Sequence, residues 1–288
     1  MTDVTRPRGL RWWTELGWRH IVGVVMIVIA VFPLLYVLSA SLNPAGTLTG
    51  SYELFRELSL SNFIDLGSTP FLLWMRNSLF VSAVTAVGTV LMGAAAAYAF
   101  SRFRFTGRRA GLTTLLLLQM FPQMLAFVAI FLVLLAITDV FPVLGLNSHL
   151  GLVAVYLGGA LGVNTFLMYG YFNTVPIELD EAARIDGATH AQIFFRIILR
   201  LVAPILVVVG LLSFIGTYSD FVIARVVLQR SEQFTLAIGL YNWGSDERNA
   251  PWGEFAAGAV LAAIPVVVLF LLLQRYVVSG LTAGSTKG

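Results

Sequence analysis

The chain of 288 residues contains no cysteine. That single absence removes disulfides, thiolate metal ligands and a cysteine nucleophile together. Lysine is almost as scarce, with Lys287 as its only representative. A P-loop needs a lysine to reach the nucleotide phosphates, so this chain is no P-loop ATPase. Histidine occurs three times, at His20, His149 and His190, too far apart to suggest a ligand pair. No Gly-x-Ser-x-Gly elbow and no His-Glu zinc helix is present. A membrane serine protease needs Ser and His at one depth, whereas His149 and His190 fall in hydrophilic segments on opposite sides. Charge is sparse, at 11% of residues and a net +3, which is too little for a nucleic-acid footprint.

What the chain has instead is apolar sequence, 58% of it by residue, with a mean hydropathy of +0.85. Soluble domains run at about 45–50% apolar and about 25% charged. A polytopic, all-α membrane protein accommodates this composition. Six runs approach the ~20 residues that a crossing helix requires. They are Ile21–Leu42, Leu79–Phe100, Leu112–Ile137, Leu150–Tyr169, Pro204–Leu228 and Ala256–Leu273. Of the 18 Lys and Arg residues, only Arg56, Arg76, Arg225, Arg230 and Arg248 fall on one side. The positive-inside rule therefore puts both termini in the cytoplasm. Trp74, Trp243 and Trp252 are then expected near the outer interface, and Trp12, Trp13 and Trp18 near the inner one. Basic residues ahead of the first run and a small-residue Ser39–Ser41 segment imitate a secretory signal. Signal cores are about 7–15 residues, so the longer run reads as a retained span. The organisation expected is a basic cytoplasmic segment 1–20, a six-span transmembrane domain 21–275 and a cytoplasmic tail 276–288.

Within that domain, two hydrophilic segments carry information: 171–203 on the cytoplasmic side and 229–255 outside. The first predicts a helix, a sharp turn and a second helix. Pro176 suits a first turn, and Glu178, Asp180 and Glu181 complement the positive end of a helix dipole. Gly187 supplies a residue able to take positive φ at the stop. Thr189 and Gln192 have capping-box spacing. Ala182 and Ala183 leave a low-relief surface for another protein. An amphipathic helix resting among lipid headgroups is the plainer alternative, but an anionic leaflet repels its acids.

These residues resemble a known signature. Glu181-Ala182-Ala183, Asp186-Gly187-Ala188, Phe194, Ile197, Leu199 and Pro204 match the EAA motif of ABC importer permeases, with Arg200 where that motif usually has proline. Further stretches, among them Ala97-Tyr98-Ala99-Phe100, Gln119-Met120-Phe121-Pro122, Gly145-Leu146-Asn147, Trp252-Gly253 and Gly280-Leu281-Thr282-Ala283-Gly284, resemble the MalG-type permeases of maltose importers. The resemblance implies the type I importer permease fold and no cofactor. It implies four partners besides the bilayer: a MalF-like second permease, a dimer of MalK-like ATPases and an external sugar-binding protein. Residues 181–183, 186–188 and Phe194 would couple to the ATPase. The tail, with Thr282, Gly284, Lys287 and Gly288, would extend between the ATPase subunits. Tyr241, Asn242, Trp243, Gly244, Ser245 and Asp246 would form a loop reaching into the binding protein, against a plain solvated loop as alternative.

Three residues within the spans remain. Gln119 and Pro122 mark either a packing kink or a bend that lines a pathway. Asp220 is the sole acid inside a span, either an interfacial carboxylate satisfied by Arg225 or water, or part of a vestibule wall. Gly158-x-x-x-Gly162 permits close helix contact. Maltose or maltodextrin is the expected cargo, with trehalose or another α-glucoside behind it. A stand-alone sugar carrier would need mid-membrane acids or an internal repeat, and a scaffold would have no use for a docking helix. The purified chain alone is expected to hydrolyse no ATP; robust hydrolysis by this subunit in isolation would refute the assignment.

Overall fold

A computed structural model of the chain describes residues 13–44, 54–245 and 250–283, and among these there is no β-strand. The helices are α1 (Trp18–Ser41), α2 (Ser61–Asp65), α3 (Phe71–Arg102), α4 (Arg108–Gln119), α5 (Phe127–Val140) and α6 (His149–Phe172). They continue as α7 (Glu178–Ile185), α8 (His190–Leu201), α9 (Ala203–Ser219), α10 (Val222–Val227), α11 (Leu236–Gly244) and α12 (Trp252–Ala283). Among the described residues, α1, α3, α6 and the Trp252–Tyr276 part of α12 are each long and apolar enough to cross a bilayer. The bent pair α8 and α9 adds a fifth if counted as one span.

Two of the six expected spans are therefore not continuous helices. The run Leu112–Ile137 divides into α4 and α5, joined by a 3₁₀ turn at Gln123–Ala126. Pro122 lacks the N–H that would continue the ladder, and its ring opposes the preceding turn. The run Pro204–Leu228 divides at Asp220, whose backbone is extended at φ −70°, ψ 123°. Conversely, α3 starts well before the apolar run at Leu79. Its 32 residues span about 48 Å at 1.5 Å each, more than the ~30 Å hydrocarbon core.

The described residues fall into two compact units. One lies within Met1–Thr69 and Trp243–Leu261. Its polar hub is the buried Asn62, whose Nδ2 donates to the carbonyls of Ser41 (3.0 Å) and Asn43 (2.9 Å). A side chain at Gly253 would collide with the Asn62 amide, so glycine alone allows this approach.

The second unit, Pro70–Asn242 with Ala262–Gly288, is built on α3, α6 and α9. At one end the polar start of α3 is stitched to the segment that follows α10. The Trp74 indole N–H donates to the Ser231 carbonyl (3.0 Å). Asn77 Nδ2 donates to the carbonyls of Glu232 (3.1 Å) and Phe234 (3.0 Å), and Ser78 Oγ accepts from the Leu236 amide (2.7 Å). These partners are why Trp-Met-Arg-Asn-Ser, unremarkable in hydropathy, is helical and packed. Trp74 is 4% exposed, packed inside the chain by these contacts. The 229–255 segment is likewise not simply a loop. Leu236, Ile238 and Gly239 are buried faces of α11, and Tyr241–Gly244 form its last turn. Gly239 sits directly against the Trp74 ring, with no space for a Cβ. Gly239→Ala should cost about 1–3 kcal/mol through overpacking and lower the thermal unfolding midpoint in detergent. An unchanged midpoint would mean that α11 is not seated on Trp74.

Candidate functional site: the surface helix α7

The helix α7 is only 8 residues long, too short to persist in water by propensity. Its ends and its buried face hold it. Asp180 and Glu181 amides pair with the Ile177 carbonyl at 3.0 and 3.1 Å, starting the helix one residue after Pro176 and Ile177. Glu178, Asp180 and Glu181 occupy its first turn, where the dipole favours acids. At the other end the Gly187 amide bonds to the Arg184 carbonyl (2.9 Å) and the Ala188 amide to the Ala183 carbonyl (2.9 Å). That is a Schellman closure, and Gly187 takes it at φ +83°. Space around Gly187 is open, so any larger residue there is opposed by backbone strain alone, of about 1–3 kcal/mol.

Beyond the turn, the capping box forms as the spacing predicts. The Gln192 amide donates to Thr189 Oγ1 (3.3 Å), and Gln192 Oε1 accepts from the Thr189 amide (2.8 Å). The helix α8 then takes a π-helical turn over Ile193–Ile198 and meets α9 at a 79° bend. Arg200 is helical, and the break comes at Val202, two residues before Pro204. The motif's usual proline is not needed to turn the chain here.

The inner face of α7 rests on a core of Ala94, Ala97, Tyr98, Met168, Phe172, Ile193 and Phe194. Phe194 packs against Tyr98 at a ring separation of 5.0 Å. Ala183 and Phe194 are thus buried props, and of the two alanines only Ala182 is on the open surface. Glu178, Glu181, Ala182, Ile185, Asp186 and Gly187 face outward with Ala188 half-buried beside them. Ile185 is 87% exposed, an apolar tip presented by an otherwise acidic helix.

The anchor is electrostatic. Arg102, the last residue of α3, places Nε 2.8 Å from Asp180 Oδ2, with the side chains 5% and 1% exposed. Its other nitrogens donate to the carbonyls of Phe172 (3.3 Å) and Val175 (3.0 Å). One guanidinium therefore ties together the end of α3, the end of α6 and the start of α7. Asp180 Oδ1 and the Tyr98 hydroxyl are buried nearby without a hydrogen-bond partner among the described residues, so the pair is held by charge contact more than by aligned bonds. In the sequence Asp180 reads as a dipole acid and Arg102 as one more basic residue. Nothing in a single sequence joins positions so far apart.

The other candidate residues lie elsewhere. Gln119 Nε2 donates to the Gly159 carbonyl (2.7 Å), tying α4 to α6. Gln119 and Pro122 line a groove of about 700 Å³ between those helices and α5. Gly162 admits the Gln119 side chain, so it serves packing within the chain, while Gly158 meets open space. Asp220 does not pair with Arg225. Its Oδ1 accepts from the Ile223 (3.0 Å) and Ala224 (3.1 Å) amides and from the Tyr156 hydroxyl (2.8 Å). Tyr241 is exposed, with its ring 4.1 Å from that of Phe221. Asn242, Trp243, Gly244 and Ser245 close α11 or follow it, whereas Asp246 lies outside the described residues. Thr282 belongs to α12, and Gly284, Lys287 and Gly288 lie outside the described residues.

An all-helical membrane frame that braces a short, acidic, outward-facing helix is the outline of a transport subunit that works with partners. The model of the binding-protein-dependent transport system inner membrane component family matches residues 89–283. The chain belongs to that family. It is 41% identical over 97% of its length to the galactooligosaccharides transport system permease protein GanQ of Bacillus subtilis, covering 98% of that protein. It is 38% identical to the maltose/maltodextrin transport system permease protein MalG of Escherichia coli K12, over 93% of this chain and 95% of that one. Its fold is similar to a chain of a bacterial ABC transporter that imports the acidic polysaccharide alginate. The TM-score is 0.77 at 24% identity, covering 94% of this chain and 99% of the other.

Removing one member of the buried pair leaves a lone buried charge, at a cost of about 3–5 kcal/mol. Arg102→Met should therefore reach the membrane but lower the thermal unfolding midpoint in detergent by several degrees, and Asp180→Asn should lower it less. Arg102→Met combined with Asp180→Leu should recover most of the loss. Single variants that unfold at the wild-type midpoint would show that the pair does not hold α7.

Proposed function

We propose that the chain is one of two permease subunits of an ATP-driven sugar importer. Its α7 is the element that docks in a cleft of the cytoplasmic ATPase. The observation that carries this reading is the geometry of α7: a short helix pinned from behind by Arg102, with Glu181, Ala182 and Ile185 turned outward. Such a helix transmits force, because moving it moves the ends of α3 and α6. Nucleotide-driven closure of the ATPase dimer would draw the docked helices together and open the cavity outward, and hydrolysis would reset it.

The six crossings of this reading include the broken α4–α5 and α9–α10 segments, and both termini are cytoplasmic, in keeping with the distribution of arginine. A MalF-like permease, a MalK-like ATPase dimer and an external sugar-binding protein complete the complex. The α11 end, Tyr241 to Asp246, approaches the binding protein, and the tail from Thr282 to Gly288 approaches the ATPase. Gln119, Pro122 and Asp220 belong to the pathway wall. ATP hydrolysis belongs to the partner, so this subunit performs no covalent chemistry. Maltose or maltodextrin is the proposed cargo. The 41% identity to a galactooligosaccharide permease favours galactooligosaccharides as a second reading.

Proteoliposomes holding the whole importer decide between them. With binding protein outside and ATP inside, labelled maltose should accumulate at least tenfold over an ATP-free control. Accumulation of galactobiose alone would select the second reading, and ATP-independent uptake would overturn the importer assignment.

A further inference from the structure

Polar side chains within membrane-spanning helices are costly unless something satisfies them. Six of them converge on a cavity of about 240 Å³ where α3, α6, α9 and α10 meet: Thr85, Tyr156, Asn164, Ser213, Thr217 and Asp220. From their chemistry we infer that this subunit itself binds one ring of a neutral carbohydrate there as the sugar passes. The inference rests on the importer reading above and adds to it a sugar-contacting site in this chain.

The cavity is assembled for a ligand rather than filled by its own side chains. Thr85 is 1% exposed, yet its hydroxyl has no hydrogen-bond partner among the described residues. A helical threonine ordinarily returns that hydroxyl to a carbonyl of the preceding turn. Asp220 commits Oδ1 to Tyr156 and to the start of α10, so Oδ2 is available as an acceptor, and Thr217 adds a hydroxyl to the same wall. Asn164 spends its Nδ2 on the Ala160 carbonyl (2.8 Å), which leaves Oδ1 as an acceptor. Ser213 Oγ donates to Thr89 Oγ1 (3.1 Å) and keeps its own lone pairs. Open acceptors and hydroxyl donors are thus interleaved, as a ligand requires whose every group both gives and accepts a hydrogen bond. A sugar hydroxyl does both.

Charge narrows the class further. The cavity holds one carboxylate and no Lys, Arg or His, so it repels uronates and other acidic sugars. Its volume falls below the ~300–1,000 Å³ of pockets for drug-sized ligands, which suits one ring and excludes an oligosaccharide bound whole. The irregular backbone between α9 and α10 borders it at Asp220. Non-helical backbone at membrane depth is tolerated where it lines a cavity or is buried in protein.

The absence of cysteine permits a direct test in the complete importer reconstituted with cysteine-free partner subunits. A single cysteine from Thr217→Cys should react with a small methanethiosulfonate, and maltose or galactobiose should slow that reaction at least fivefold, whereas glucuronate should not. Thr217→Val with Ser213→Ala should cut maximal uptake of the transported sugar at least tenfold, with ATPase co-purification intact. Thr217→Ser with Ser213 unchanged should restore uptake, which a merely structural role for the methyl-bearing Thr217 would not permit. If wild type accumulates sugar while Thr217→Cys is unprotected and the double variant stays within twofold, the site is refuted and the importer reading stands. Equal protection by glucuronate would also refute it. If wild type co-purifies with its ATPase yet accumulates neither sugar, the sugar reading fails and the site fails with it.

Discussion

A single guanidinium decides where the outward helix of this subunit can be. Arg102 reaches Asp180 with one nitrogen and the carbonyls ending α6 with the others. Taking two charges out of water costs several kcal/mol per ion, so such a pair endures only in a geometry that satisfies both. The helix α7 is too short to hold itself, and displacing it would strand both charges. Its Schellman turn at Gly187 and the capping box at Thr189 then determine how the chain leaves it for α8. The consequence is a helix that is rigidly backed yet almost wholly presented on its other face.

The same helix that ends in Arg102 begins with Trp74, Asn77 and Ser78, which hold the 231–236 segment at the opposite end. The helix α3 is therefore a continuous strut between the 231–236 segment at one end and α7 at the other. Two other apolar runs are broken where α3 and α6 are not. The interruptions at Pro122 and Asp220 both border cavities, the setting in which irregular backbone is tolerated at membrane depth. Straight and broken helices thus divide the labour: one transmits position, the others shape the space between.

Several features were legible in the residues. Apolar content and the lack of lysine led to a membrane subunit without its own P-loop, because both are matters of composition. The helix–turn–helix of 176–204 was legible since Gly187, Thr189 and Gln192 act through contacts a few residues apart. The helical ends of the long apolar runs were less so. Hydropathy registers lipid-compatible residues and is blind to polar ones satisfied by other parts of the chain, which is why the start of α3 and the whole of α11 passed as loop. Pro122 was visible as a kink and Asp220 as an acid within a span, but that each divides its run needed the neighbouring helices.

Composition, periodicity and short-range capping by themselves determined a polytopic helical membrane protein, the surface helix and its glycine turn, since each depends on overall composition or on chemistry contained in a few consecutive residues. Tertiary structure alone decided which side of that helix faces out, placing Ala183 and Phe194 inside and Ile185 outside. It alone joined Arg102 to Asp180, Trp74 to Gly239 and Tyr156 to Asp220. Those pairings come from the packing of helices distant in sequence, and charge, volume and hydrogen-bond complementarity across such distances leave no trace in local pattern.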